Sequence, residues 1–537
     1  MFLLKLLTSN ILGATIDKEN AFERCSDMNV INIVNFIRSE EEYRTSKEEL
    51  IETLENQVAL VQKYNHPATF LFQHDAFTKP EWVKIVPRTE NIEIGVWLEL
   101  NRSLIERAGC EWKGLPERTW QYFSHIDLTC GYTPEERKRI IDIVMSDFKD
   151  VFGSYPKTVG SWIIDAVSLG YMREKYGVSA SLNCKDQWLT DGYSLWGGYY
   201  NQAYYPCKNN MFCPAQTKDE QIDLPVFRML GSDPVRQYDC ALSEDNGQNV
   251  ITLECYLHPK MDPRFGGSNE EWTRWFLDQM QKYDPLSFSY AQAGQENPFR
   301  WSGQKKGFTM QMRLFDELAR EGKIKLMTVS DTADMYRSRY PMTPASVTEA
   351  ETPENQHGVW YCCKNYRTYV YGDNDYARIK DLTLFDEDYK ERYLTDNCKD
   401  SKAFYDNLHL VDSYRWGREN GRPSGIKFIK DGQEFEGKIT VKTEKINDSA
   451  ITLTLTSKTG EATVELTEGG ITVKGCSIGW IFANNTMSQI ALNDSSVTLV
   501  YNGFKREIPI HGTVDKDAGL IHPKDGYITL KLEKQHV

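Results

Sequence analysis

From Asn29 to about Tyr340 the chain alternates short apolar runs with longer amphipathic ones, and this alternation restricts it to folds built on a parallel sheet. The clearest stretch is Tyr64-Asn65-His66-Pro67-Ala68-Thr69-Phe70-Leu71-Phe72, followed by Glu93-Ile94-Gly95-Val96-Trp97-Leu98-Glu99. A helix ending at a polar turn, a strand at Ala68 to Phe72, a further helical stretch and a strand at Ile92 to Leu98 make consecutive βαβ units, which wind into sheets or barrels. Val30 to Ile37 is expected as the first strand and Ser46 to Tyr64 as the first helix, capped by Thr45 or Ser46 with Glu48 and Glu49 in its first turn. Thr133-Pro134-Glu135-Glu136 supplies a cap, a proline at the first helical position and two acids, so a helix is expected to run to Phe152 and stop at Gly153. Further strands are expected at Lys157 to Ile163, Val178 to Asn183, Leu224 to Leu230, Val250 to Tyr256, Leu286 to Gln292 and Ile324 to Val329. A helix from Ala166 to Tyr176 and another from Gly307 to Arg320 complete the pattern. The count fits a β/α barrel of seven or eight strands, in which chemistry sits at the carboxyl ends of the strands.

Beyond Pro341-Met342-Thr343-Pro344 the period changes from 3.6 to 2. Lys438 to Glu444, Ala450 to Thr456, Ala462 to Leu466 and Ile471 to Lys474 alternate apolar with polar residues between Asn-Asp, Thr-Gly and Gly-Gly turns. At 537 residues the chain exceeds one compact core. The expected division is therefore an α/β barrel over 1–344 and an all-β sandwich over 345–537.

Charge and cysteine usage narrow the partners. With 63 basic and 77 acidic side chains the net charge is -14, which disfavours nucleic acid. No stretch approaches the roughly 20 apolar residues of a membrane span. The opening Met1-Phe2-Leu3-Leu4-Lys5-Leu6-Leu7 is short and interrupted by Lys5, so it reads against an export signal and leaves cytoplasm or periplasm open. Twelve cysteines show no metal-type spacing: Cys362-Cys363 are adjacent and Cys207 and Cys213 are six apart, so buried free thiols are expected.

The words at residues 46 to 101 and 131 to 170, with "KYNxPATFLF", "EIG", a "TPEE" helix and "YPKxVGSW", resemble the NodB-type polysaccharide deacetylases and the wider glycoside hydrolase/deacetylase superfamily. Gly160-Ser161-Trp162 with Asp165, Asn183-Cys184-Lys185-Asp186-Gln187-Trp188, Arg228 to Pro234 and Gln292 to Asn297 are similar to a bacterial family of glycoside hydrolase/deacetylase-like proteins. The resemblance covers about the first 340 residues and implies a barrel acting on a carbohydrate. Its departures are specific. The family's Asp-Asp pair falls where Phe36-Ile37-Arg38 stand, its His-x-x-x-His pair where Trp97 and Asn101 stand, and its late-strand histidine at Ser289-Tyr290-Ala291-Gln292. Those residues cannot furnish converging carboxylate and imidazole lone pairs, so no metal and no other cofactor is expected. The alternative is a displaced metal site of a deacetylase, with Asp75, His74 and the His125 of Ser124-His125-Ile126-Asp127 after an insertion at Arg102 to Thr119.

Hydrolysis of a glycosidic bond without a metal requires one protonated and one ionised carboxyl. The strand-end acids are Asp75, Glu99, Asp165, Asp233 and Glu296, of which Glu296 with Asp165 or Asp233 is the expected catalytic set. Each has a plainer role: a helix cap for Asp165, a turn for Asp233, a solvated loop acid for Glu296, and an ion pair with Arg102 for Glu99. Substrate contacts are expected from Asp75, His74, Glu99, Trp162, Trp188, Trp196, Arg228 and Gln292. The segment Trp188 to Tyr205 carries seven aromatics in 18 positions, against 12% in the whole chain, which suits stacking on sugar faces or a packed loop over the barrel. The expected partner is an oligosaccharide or polysaccharide, hydrolysed or, in a third reading, bound without turnover.

Overall fold

The computed structural model describes residues 29–40, 45–121, 123–183, 198–236, 251–257, 262–401, 403, 407–412, 425–481 and 489–534. The first of its two parts is a nearly closed parallel sheet. Strands β1 (Asn29–Ile37), β2 (Ala68–Phe72), β3 (Ile92–Trp97), β4 (Thr158–Gly160), β5 (Ala180–Asn183) and β6 (Val226–Arg228) pair in sequence order, and β7 (Ser289–Ala293) returns to pair with β1. β8 (Lys325–Met327) also pairs with β1, at Val30 to Asn32. The seam between β6 and β7 is spanned by the Gly231 N–H, which donates to the Gln292 carbonyl at 3.4 Å. Of the run expected at Val250 to Tyr256, the described residues 251–256 form no named strand; Thr252 makes an isolated bridge to Ser232, and the Leu253 N–H donates to the Gly231 carbonyl at 2.8 Å.

Helices lie between the strands. α1 (Lys47–Tyr64) and α2 (Pro134–Phe152) each open with a complete capping box, Ser46 with Glu49 and Thr133 with Glu136, so two otherwise unpaired amides are satisfied at each start. Gly153 ends α2 at φ +85°, a conformation that suits glycine. α3 (Ala166–Tyr176), α4 (Glu270–Lys282), α5 (Trp301–Arg320) and α6 (Val329–Arg339) follow. α6 packs Tyr336 against Phe227 and Phe288, and its Thr332 accepts a hydrogen bond from Asn32 of β1 at 2.8 Å.

From Ser346 onward the structure is antiparallel. A ten-stranded sheet begins with Ser346–Glu351, His357–Cys362, Tyr366–Gly372 and Ala377–Leu384, and an eight-stranded sheet with Thr440–Asn447, Ala450–Ser457, Gly460–Thr467 and Gly470–Lys474. Ile379, Leu382, Phe428, Leu453, Val464 and Ile528 of the two sheets share one apolar core. The other side of the ten-stranded sheet meets the barrel: Trp360 stacks on Tyr200 at 4.0 Å, and its indole N–H donates to the Pro234 carbonyl at 3.0 Å. Among the described residues no helix is long and apolar enough to cross a membrane.

Candidate active site

Because the barrel strands are parallel, the residues that follow them gather on one rim: Arg38 after β1, Asp75 after β2, Glu99 after β3, Trp162 after β4 and Glu296 after β7. Arg38 organises them. Its Nε and Nη2 donate to Glu99 Oε2 and Oε1 at 2.8 and 2.7 Å, and its Nη1 donates to Glu296 Oε2 at 2.5 Å. The three side chains are 6%, 0% and 5% exposed, so the ion pairs lie in a largely water-free setting. A planar guanidinium with five fixed donors can clamp one carboxylate with two bonds and still reach a second; a lysine ammonium cannot. The indole of Trp162 donates to Glu99 Oε1 at 2.7 Å, and the Trp120 ring lies 4.6 Å from the Arg38 guanidinium carbon. Phe36 and Trp97 stack below at 4.1 Å, and Trp97 meets Trp162 edge-on at 5.4 Å.

The loop carrying Glu296 is fixed by its backbone. Gly294 sits at φ +104°, and a Cβ there would lie 1.9 Å from the Val34 carbonyl oxygen, so only glycine allows β7 to turn this close to β1. Asn297 accepts from the Arg38 N–H and donates to the Arg38 carbonyl, both at 2.9 Å. Gln304 of α5 donates to the Glu296 carbonyl at 2.6 Å, and Gln57 of α1 donates to the Gln295 carbonyl at 3.1 Å.

Asp75 is the other acid of the rim. Ser39 donates to its Oδ2 at 2.5 Å and Lys79 stands 3.6 Å away. Burial raises its carboxyl above the usual aspartate range, against the opposing pull of Ser39 and Lys79. With the Gln73 amide turned to satisfy both ends, it donates to Asp75 at 3.2 Å and accepts from the Trp120 indole at 3.3 Å, which links Asp75 to the ring above Arg38.

The other sequence-derived positions fall elsewhere. Asp165 caps α3: it accepts from the Ser168 N–H at 2.9 Å, the Ser168 hydroxyl at 2.8 Å, Thr129 at 2.7 Å and the buried Arg137 at 3.0 Å. Asp233 accepts from the Val235 and Arg236 amides at 2.9 and 2.8 Å and from the Trp272 indole at 2.9 Å, with the Arg236 guanidinium at 3.2 Å. Their oxygens are engaged in capping and turn formation. Glu99 pairs with Arg38, whereas Arg102 pairs with Glu106 one helical turn on, at 2.7 Å. Glu296 is buried rather than solvated.

His74 faces α2, bonded to Asp147 at 2.8 Å and edge-on to Phe77. His125 stacks on Phe123. Among the described residues no three His, Cys, Asp or Glu side chains gather as metal ligands, so His74, Asp75 and His125 do not converge. Arg228 lies against the Phe212 ring at 5.6 Å. Gln292 is buried in register with Asn32 of β1, and neither of its amide atoms has a hydrogen-bond partner among the described residues. Trp188 and Trp196 lie outside the described residues. Tyr199, Tyr200, Tyr204 and Tyr205 are buried packing residues, which is the loop-packing role.

Sequence reasoning passed over Arg38 itself, seen only as a missing acid, and over Trp120, Gln73 and Asn297. A charged residue directly after the buried strand Asn29–Ile37 was the available signal.

No family model and no curated protein matches the chain. Among solved structures it is similar to a Parabacteroides distasonis protein assigned to the glycoside hydrolase/deacetylase class, at 15% identity and a TM-score of 0.52, covering 73% of this chain and 92% of that one. A polysaccharide deacetylase-class structure from Mycobacterium smegmatis gives 13% identity and a TM-score of 0.37, covering 58% and 91%. The second is too different in shape to argue from. The first, at so low an identity, shows the fold: this chain has the barrel of the glycoside hydrolase/deacetylase type.

Proposed function

We propose that the chain is a carbohydrate-active hydrolase working at the carboxyl rim of its barrel, with Glu296 and Asp75 as the reacting carboxyl groups. The observation that carries the reading is the Arg38 clamp, which holds two buried acids where barrel enzymes do their chemistry, next to the indoles of Trp120 and Trp162. Glycosidic cleavage calls for carboxyl groups whose environments push their protonation apart. Burial raises the Asp75 carboxyl above the usual aspartate range, the direction that suits a donor to a leaving oxygen. Glu296, ion-paired with Arg38, is suited to act as base or nucleophile. Glu99 and Trp162 hold Arg38 in place. Flat indole faces complement the C–H faces of a sugar ring. In this reading residues 1–344 form the catalytic barrel, and the two antiparallel sheets of 345–537 form an accessory sandwich braced against it.

The test is a panel of glycosides and acetylated oligosaccharides, scored separately for new reducing ends and released acetate, with and without a chelator. The reading expects chelator-resistant release of reducing ends, reduced by about 10²-fold or more in Glu296→Gln and in Asp75→Asn. Full turnover in both variants refutes it. Acetate release abolished by a chelator points instead to a metal-dependent deacetylase. One observation favours a silent sugar-binding protein: Arg38 already engages both Glu99 and Glu296. Saccharide binding with no turnover across the panel would establish that reading.

A further inference from the structure

The nine described cysteines are all buried and free, and two of them lie together although they are far apart in the chain. Cys130 follows the short helix Ser124–Asp127 on the barrel side. Cys398 sits in the segment 391–401, which returns from the antiparallel sheets and lies along the barrel. The Cys398 N–H donates to the Cys130 carbonyl at 2.7 Å, and the Ser124 N–H donates to the Ser401 carbonyl at 3.0 Å. Asn397 donates to the Gly131 carbonyl at 3.2 Å, and Arg137 of α2 donates to the Asp396 carbonyl at 2.8 Å. The two thiols are near enough to influence each other's protonation, and each donates to a carbonyl of its own segment, Cys130 to Ser124 at 3.9 Å and Cys398 to Asp400 at 3.3 Å. Residues joined by a direct backbone hydrogen bond have Cα atoms on the order of 5.5 Å apart, inside the window a disulfide spans without moving the backbone.

We propose that Cys130 and Cys398 are a thiol–disulfide pair that staples the segment 391–401 to the barrel, closed by exchange with a low-molecular-weight disulfide such as glutathione disulfide. The Cys398 thiolate attacks one sulfur of the oxidant, whose S–S bond breaks, and the first glutathione leaves and takes up a proton. Cys130 then loses its proton and attacks the Cys398 sulfur of the mixed disulfide, and the second glutathione leaves and is protonated. Two protein thiols are oxidised and one glutathione disulfide is reduced to two glutathiones. Cys398 attacks first because the neighbouring Cys130 draws its thiol down, whereas Cys398 and burial push the Cys130 thiol up. Both thiols are under 5% exposed, so exchange proceeds when the segment lifts and the bond then holds it down. The staple fixes more than a loop. The segment carries Glu391, which accepts from the first N–H of α3 at 3.1 Å and from the Met211 N–H at 2.8 Å, and Tyr393, whose carbonyl accepts from the Arg137 that pairs with Asp165.

The full chain is equilibrated in glutathione buffers of graded disulfide content or in dithiothreitol, then mapped by differential alkylation and peptide mass, with thermal melts in parallel. The proposal expects a cross-linked Cys130–Cys398 peptide, loss of both thiols together, and a melting temperature several degrees above that of the dithiothreitol sample. Cys130→Ser and Cys398→Ala should melt like the reduced wild type and gain nothing on oxidation. If one variant fails to fold, the other and the wild-type peptide map still decide. A disulfide to any other cysteine, persistence of both thiols at the most oxidising buffer, or a cross-link without a rise in melting temperature overturns the proposal.

Discussion

Replacing Arg38 by methionine removes a cation that pairs with two acids the fold has already buried. In the wild type Glu99 and Glu296 are 0% and 5% exposed and share three charge-assisted bonds with Arg38. Methionine keeps much of the volume under Trp120 but takes away the positive charge that Arg38 supplies to both carboxyls, and breaking a buried pair in this way costs about 3–5 kcal/mol. The barrel from Asn29 to Arg339 is roughly 310 residues. At about 2.1 cal/mol/K per residue its unfolding entropy is roughly 0.65 kcal/mol/K, so the expected loss is about 5–8 °C in the barrel's melting transition. Differential scanning calorimetry at neutral pH reads this. Adding Glu99→Gln and Glu296→Gln to Arg38→Met should recover most of the loss, because the carboxylate charges are then gone. Arg38→Met melting within a degree or so of wild type, or a triple variant no more stable than the single, would show that the clamp does not hold the rim together.

Three further outcomes follow from separate parts of the molecule. Gly294→Ala forces a Cβ to within 1.9 Å of the Val34 carbonyl, so β7 must part from β1; a loss of about 3 kcal/mol or more is expected in urea titration, with catalytic turnover falling alongside because Glu296 is displaced. Asp165→Ala strips the cap of α3 and leaves the fully buried Arg137 without its carboxylate, and should destabilise by about 3–5 kcal/mol, whereas a purely catalytic aspartate would leave stability unchanged. Glu391 is pushed up to about 8 by burial and by neighbouring Asp165. Since the folded form keeps its proton where the unfolded chain has released it, the associated stability is complete below about pH 4.5 and is lost as pH rises to about 8, by up to about 4 kcal/mol. Melting temperatures taken from pH 5 to 8 should fall less steeply in Glu391→Gln than in wild type; equal slopes would contradict the assignment.

The elements that the sequence announces are those whose ends are marked by local chemistry. Thr133-Pro134-Glu135-Glu136 and Gly153 bracket α2 because capping and left-handed turns are decided within a few residues. The paired β-hairpins from Thr440 to Lys474 stand within a few residues of their alternating runs for the same reason. The run at Val250 to Tyr256 has strand composition, yet its described residues 251–256 form an isolated bridge rather than a named strand, because pairing is a tertiary decision that alternation cannot express. The strands His357–Cys362 and Tyr366–Gly372 were hidden differently: every residue of both is buried, so they carry no regular polar–apolar alternation to read. At the rim, the strand-end acids include Asp75, Glu99 and Glu296, and the structure places Trp162 beside Glu99. What joins them was illegible, since Arg38 lies some 60 residues from Glu99 and about 260 from Glu296 in sequence. Asp165 and Asp233 carry the same signature as a catalytic acid, an aspartate after a strand, and only their donors separate cap and turn from chemistry.

The most direct test is a crystal structure of Glu296→Gln with a bound oligosaccharide from the panel. The account predicts a sugar ring at the carboxyl ends of the barrel strands, against Trp120 or Trp162 and within hydrogen-bonding distance of Asp75. A saccharide bound away from that rim, or a divalent ion held there by His74, Asp75 or His125, would contradict it.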